Sequence, residues 1–315
     1  MKPEVYWVAL EKRFQGSVLG LALGDALGAP HEGGVLERLL WQMLGTTIEG
    51  HARWTDDTQM SLDLVDSLVA RRSVDSDDIA RRFAAGYRWS RGYGPGAAQV
   101  LKRIARGQDW RHANRAVFPE GSYGNGGAMR APAIGLFLFR RLDELPDAVS
   151  LVSGITHAHA LASEGALLVA LATALALTGK SPHEITAKLG QACCLEPYAS
   201  KLSIVNTWLP SGGTPTARQI ANSLGNGIAA VESCVTAVYI ALRFLGEPFL
   251  VMQQFVVTLG GDVDTIGAMA GAIWGAANGI DGLPAAELLK LEQKDRLMEA
   301  ASALYRAESL IHKSN

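Results

Sequence analysis

Gly16-Ser17-Val18-Leu19-Gly20-Leu21-Ala22-Leu23-Gly24-Asp25 places a glycine at every fourth position of an apolar run. Four residues make about one helical turn, so the three glycines share one stripe of a helix. A stripe without side chains lets a second helix backbone approach closely. The same spacing returns near the other end of the chain as Gly267, Gly271 and Gly275. We read both stripes as tight helix packing rather than as phosphate-binding loops.

Outward from that stripe the pattern stays helical. Apolar spacing predicts helices over 11–26, 57–71, 95–106, 131–140, 163–177, 182–193, 217–222, 228–245, 248–259, 265–277 and 285–311. A further helix starts near Ser76-Asp77-Asp78, with Ser76 or Asp77 as its N-cap. Alternating runs of β-branched and aromatic residues, the signal for strands, are scarce. The expected class is all-α. The 315 residues are 48% hydrophobic, and no Pro/Ser-rich linker or charge run divides them. A single domain over 1–315 is expected.

Composition narrows the partners. The formal net charge is -2 and no basic stripe is visible, so no nucleic-acid partner is expected. Cys193, Cys194 and Cys234 are odd in number, with two adjacent, which describes no disulfide framework. A reducing cytoplasm fits that usage. The N-terminus lacks the apolar h-region of a signal peptide. The longest apolar runs, 165–177 and 266–277, fall short of the ~20 residues of a membrane span, so no membrane partner is expected.

Two acidic clusters carry the chemistry. One is Trp54-Thr55-Asp56-Asp57-Thr58; the other is Gly260-Gly261-Asp262-Val263-Asp264-Thr265. Each gathers carboxylates and a hydroxyl where a loop turns into a helix. Asp and Thr are favoured N-caps, and capping alone would explain either cluster by itself. Two matching clusters, brought together, would repel unless a cation neutralised them. Oxygen-only donors suit Mg²⁺ or Mn²⁺, so a dinuclear site is the economical reading. The Asp pair also suggests the DDxxD motif of isoprenoid synthases, but Met60 stands where its third acid belongs.

Other features are weaker alone. Ser122-Tyr123-Gly124-Asn125-Gly126-Gly127 is a glycine-rich run leading toward a helix, able to offer backbone N–H groups to phosphate. Asp25 ends an apolar helix, where the dipole disfavours an acid, so it needs another reason to be there. Glu32 in the following Gly/Pro loop could serve as a general base. The pair His157 and His159 lacks the partners of a zinc site, which leaves capping, core packing or substrate contact.

Taken in order, GSVLGLALGDALGAPHE (16–32), WTDDTQM (54–60), RGYGPG (91–96), SYGNGGAMR (122–130), THAHA (156–160), GNGIAAVES (225–233) and GGDVDTIGAMAGA (260–272) resemble the ADP-ribosylglycohydrolases. The resemblance implies a compact orthogonal helical bundle with two Mg²⁺ or Mn²⁺ ions in a central cleft. It implies metal ligation by Thr55, Asp56 and Asp57 from one side and Asp262, Asp264 and Thr265 from the other. Tyr93, Gly94, Ser122, Tyr123, Gly124, Asn125 and His157 would line the substrate. Glu32, Asp57 and Asp264 would carry the catalytic acid–base work. The implied reaction is hydrolysis at ribose C1″, releasing ADP-ribose from a modified protein or small molecule. ADP-ribosyl-arginine is the first expectation; serine-linked and O-acetyl-ADP-ribose follow. Other readings are a dinuclear metal phosphohydrolase and a non-catalytic ADP-ribose binder. The chain departs from the pattern at Gly33-Gly34, where relatives often carry an aromatic, so the resemblance says least about the lid.

Overall fold

The computed structural model describes residues 3–213 and 215–314. Six helices position the site: α1 (Pro3–Gly28), α2 (Asp56–Arg71), α3 (Ala160–Leu177), α4 (Ala230–Arg243), α5 (Val263–Asn278) and α6 (Lys294–Ser314). Shorter helices fill the intervals, and the described residues form no strand. Extended pairing is confined to isolated bridges at Thr46–Ala52, Ala52–Leu291 and Gly124–Ala229.

The two glycine stripes meet each other. A Cβ built on Gly16, Gly20 or Gly24 would lie 2.4, 2.4 and 2.1 Å from the carbonyl oxygens of Gly275, Gly271 and Gly267. The reverse test gives the same partners, so α1 and α5 pack backbone on backbone. Against them lies α3, whose residues from Gly165 to Leu177 are almost all buried. With 18 residues and mean hydropathy 1.9, α3 is long and apolar enough to cross a membrane, yet 72% of it is buried in the fold. It starts three residues before the predicted helix, where His159 caps it by accepting from Leu161 N–H at 3.1 Å.

Several boundaries differ from the sequence expectation for local reasons. The helix at Ser76 is capped by Asp75, not Ser76 or Asp77, because the Asp75 carboxylate accepts from Asp78 N–H at 2.9 Å. α5 begins at Val263, two residues before the predicted start at 265, so Asp264 as well as Thr265 sits in its first turn. The predicted 285–311 helix is broken into Ala285–Leu289 and α6. Ala52 pairs with the intervening backbone through Ala52 N–H to Lys290 O (2.6 Å) and Glu292 N–H to Ala52 O (3.0 Å), and Gln293 turns with φ 53°. The glycine-rich run coils one residue block early, as a turn of helix over Gly126–Met129. Helices at Val35–Leu44, Trp110–Val117, Leu145–Gly154 and Tyr198–Trp208 were not expected.

Candidate active site

Asp25 lies at the unfavourable end of α1 but at the favourable end of α2. It is fully buried. Its carboxylate accepts from Thr55 N–H (2.9 and 3.0 Å), Thr58 N–H (3.1 Å) and the Thr58 hydroxyl (2.6 Å). The two backbone N–H groups lie at a helix N-terminus, where no intrahelical acceptor exists, and are satisfied here from a neighbouring element. Burial still outweighs those bonds and pushes Asp25 up to about 6.

The bond network aims the first turn of α2 at the first turn of α5. Asp56 and Asp57 arrive from one, Asp262, Asp264 and Thr265 from the other. Glu32 follows the short 3-10 turn Ala29–His31 and joins them: Glu32, Asp262 and Asp264 each offer an oxygen, all within 4.8 Å of one another. Burial, then Asp25, Glu32 and Asp262 nearby, pushes Asp56 up to about 8. Burial and the same neighbours raise Asp57 and Asp264 well above the usual carboxylate range. The favourable helix termini do not overcome this, since like charges are packed in low dielectric. Asp57 Oδ2 is buried with no hydrogen-bond partner. Converging oxygens, mutual repulsion and an orphaned carboxylate oxygen fit a divalent cation. Asp56, Asp57, Asp262, Asp264, Thr265 and Glu32 could hold it. Thr55 behaves differently: its hydroxyl accepts from Asp57 N–H at 3.3 Å as the α2 N-cap, and it does not line the groove.

A groove of about 400 Å³ leads away from the carboxylates. One wall is the Ser122–Asn125 loop, tied down by Ala230 N–H to Tyr123 O (3.0 Å) and Asn125 N–H to Ile228 O (3.0 Å). Gly94 and His157 line it as expected. Asn125 lines it too, but its amide is spent on Asp262 and on Ser233 Oγ (3.0 Å). It therefore braces the acidic centre. Tyr93 does not line the groove; its ring lies 4.9 Å from that of Tyr87. Phe118, Pro95 and Ile228 line the groove without having been foreseen. Asn226 was also missed as a support: its side chain donates to Leu259 O (2.8 Å) and Gly260 O (3.1 Å), holding the glycine turn before Asp262. The Asn between Gly225 and Gly227 was the available signal. A second cleft of about 510 Å³ opens beyond Glu32, lined by His31, Gly33, Arg38 and Gly260. Glu32, Ile228 and Asp262 border both spaces.

Known proteins resemble this chain over nearly its whole length. The family model described as ADP-ribosylglycohydrolase matches residues 7–312. The chain belongs to the ADP-ribosylglycohydrolase family. It is therefore a glycosidic-bond hydrolase acting on ADP-ribose linkages. The chain is 36% identical to ADP-ribosylhydrolase ARH3 from Homo sapiens, over 86% of this chain and 87% of that protein. It is 34% identical to ADP-ribosylhydrolase ARH3 from Danio rerio, over 95% and 91%. A solved structure titled ADP-ribosylglycohydrolase-related protein complex superposes with TM-score 0.68 at 27% identity, covering 95% of this chain and 99% of that one. The all-helical fold of this chain is thus shared with a structure related to the ADP-ribosylglycohydrolases.

Proposed function

We propose that the chain hydrolyses the C1″ glycosidic bond of ADP-ribose attached to a side chain, with arginine the first linkage to test, and depends on two divalent cations. The observation that carries this is the convergence of Glu32, Asp262 and Asp264 oxygens within 4.8 Å, beside the orphaned Asp57 Oδ2, at one end of the groove. Bound Mg²⁺ or Mn²⁺ would supply Lewis acidity to the ribose and to water at C1″. Asp56, Asp57, Asp262, Asp264 and Thr265 would hold the cations. Ser122, Tyr123, Gly124 and His157 receive the diphosphate and its ribose, and the apolar end at Phe118 and Pro95 takes the adenine. Water attacks as the C1″ bond breaks with oxocarbenium character. Glu32 stands on the partition between groove and second cleft. From there it accepts the proton of the attacking water, while the guanidinium of the arginine linkage takes the electron pair of the C1″ bond and departs through the second cleft as the neutral guanidine. Its closeness to Asp262 and Asp264 also suits it to ligate a cation, so the base role is the one to test. A reducing compartment such as the cytoplasm suits the three free thiols.

The test is release of ADP-ribose from arginine-linked and serine-linked peptides and from O-acetyl-ADP-ribose, with Mg²⁺ and with chelator. Metal-dependent release from the arginine peptide supports the proposal as written; release from another substrate alone reassigns the linkage. Binding without release would make the chain an ADP-ribose binder, and cleavage of the diphosphate instead would make it a phosphohydrolase. Glu32→Gln should lower kcat by roughly 10²-fold or more; unchanged kcat would remove Glu32 from the base role.

A further inference from the structure

Behind the Ser122–Gly126 loop lie two buried groups that the proposed reaction does not use, Arg130 and Thr156. Arg130 is fully buried. Its guanidinium donates to Gly126 O, to Val152 O (3.0 Å) and to Thr156 Oγ1 (2.9 Å), and it lies 4.9 Å from the centre of the Phe83 ring. Its partners are neutral; among the described residues no carboxylate pairs with it. Thr156 Oγ1 in turn lies 2.8 Å from His157 Nδ1. Thr156 is fully buried as well. Neither Arg130 nor Thr156 lines the groove, whereas His157 does.

Hydrogen-bond accounting assigns the proton positions. A hydroxyl carries one hydrogen and accepts through two lone pairs. Thr156 Oγ1 already accepts from Arg130, and among the described residues its own hydrogen has His157 Nδ1 as its one neighbouring acceptor. Were Nδ1 protonated, the Thr156 hydrogen would be buried without a partner, which costs more than an ordinary bond contributes. Nδ1 is therefore the acceptor, and the neutral ring carries its hydrogen on Nε2. That nitrogen faces the loop: a Cβ built on Gly124 would lie 3.2 Å from it, and one on Gly126 would lie 2.4 Å from Cε1. We infer that Arg130 and Thr156 are positioning residues that lock His157 as the neutral Nε2–H tautomer, presenting a fixed uncharged donor to the anionic end of the ligand. Burial, then the Arg130 charge, pushes His157 down to about 3, which agrees with a ring that stays neutral.

The tautomer itself is independent of the ligand; its effect on affinity rests on the groove being the ADP-ribose site. Nitrogen-15 imidazole correlation spectra of the wild-type chain, with His157 identified by loss of its signals in His157→Asn, should show hydrogen on Nε2 and none on Nδ1. Hydrogen on Nδ1, or on both nitrogens, would overturn the assignment with no need for a folded Thr156 variant. Thr156→Val should mix the tautomers, weaken free ADP-ribose about tenfold, and raise KM with kcat within about twofold. Thr156→Ser should restore all three. A Thr156→Val protein with wild-type spectrum and affinity would refute the lock. If the wild-type spectrum is as expected but ADP-ribose does not bind, the lock stands and the ligand reading fails.

Discussion

At the scale of the residue, Asp25 does more for the site than its position in the chain suggests. It satisfies three donors at the start of α2: Thr55 N–H, Thr58 N–H and the Thr58 hydroxyl. Deleting its carboxylate leaves these buried donors unpaired, at about 1–3 kcal/mol each. Asp25→Ala should therefore destabilise the chain by at least about 3 kcal/mol in urea unfolding, and weaken Mg²⁺ binding by freeing the Asp56–Asp57 turn. A loss below about 1 kcal/mol would show that water replaces the carboxylate. Its placement at a helix C-terminal end marked Asp25 as anomalous in the sequence. Its partners were not legible, because they lie thirty or more residues away and meet it only through tertiary packing. Tyr93 is the opposite case. The family resemblance implied a substrate-lining role for it, but its ring packs against Tyr87 and it does not line the groove.

At the scale of the element, the α1–α5 contact has no slack. The Cβ of Gly24→Ala would fall 2.1 Å from Gly267 O, a backbone atom that cannot rotate away. The helices must separate, and overpacking of this kind costs about 1–3 kcal/mol or more. Because Asp25 and Asp264 ride on these helices, Gly24→Ala should weaken Mg²⁺ binding along with stability. Gly190, in the helix Pro182–Ala192, is the control: a Cβ there meets nothing within 4 Å. Gly190→Ala should stabilise by roughly 0.5–1 kcal/mol, as expected for a helix-interior glycine. Equal losses at both positions in denaturant unfolding would contradict the contact described. The glycine periodicity was readable without the structure, as was close packing; that each stripe is the other's partner was not. Boundaries failed where a remote backbone intervened, as Ala52 does at Glu292.

At the scale of the whole molecule, the fold concentrates carboxylates that repel. Asp56 is held up at about 8, and Asp57 and Asp264 are likewise raised well above their ordinary values. Above pH 6.5 the unfolded chain has these acids ionised while the cation-free fold retains protons on them. The native state then binds more protons, so its stability falls as pH rises. His157 pulls the other way only below its ordinary value of 6.5, since its folded pKa is lowered. Between about pH 6.5 and pH 8, Tm in chelator should therefore fall. With saturating Mg²⁺ the fall should flatten and Tm should rise, because the cation replaces those protons. A Tm independent of Mg²⁺ across this range would argue against cation binding at the centre.

The all-helical class, the reading of each small-residue stripe as close helix packing, and the two acidic clusters were determined by the sequence alone. These are local signals of periodicity and composition, and local signals survive in one dimension. The order of the motifs also placed the chain beside its family. Tertiary structure decided which groups meet: Asp25 with the start of α2, Glu32 with Asp262 and Asp264, Asn125 with Asp262, and Arg130 through Thr156 with His157. Each pair is joined through space across long stretches of chain, and burial sets its charge state. Neither the contact nor the low dielectric around it is encoded in any one segment.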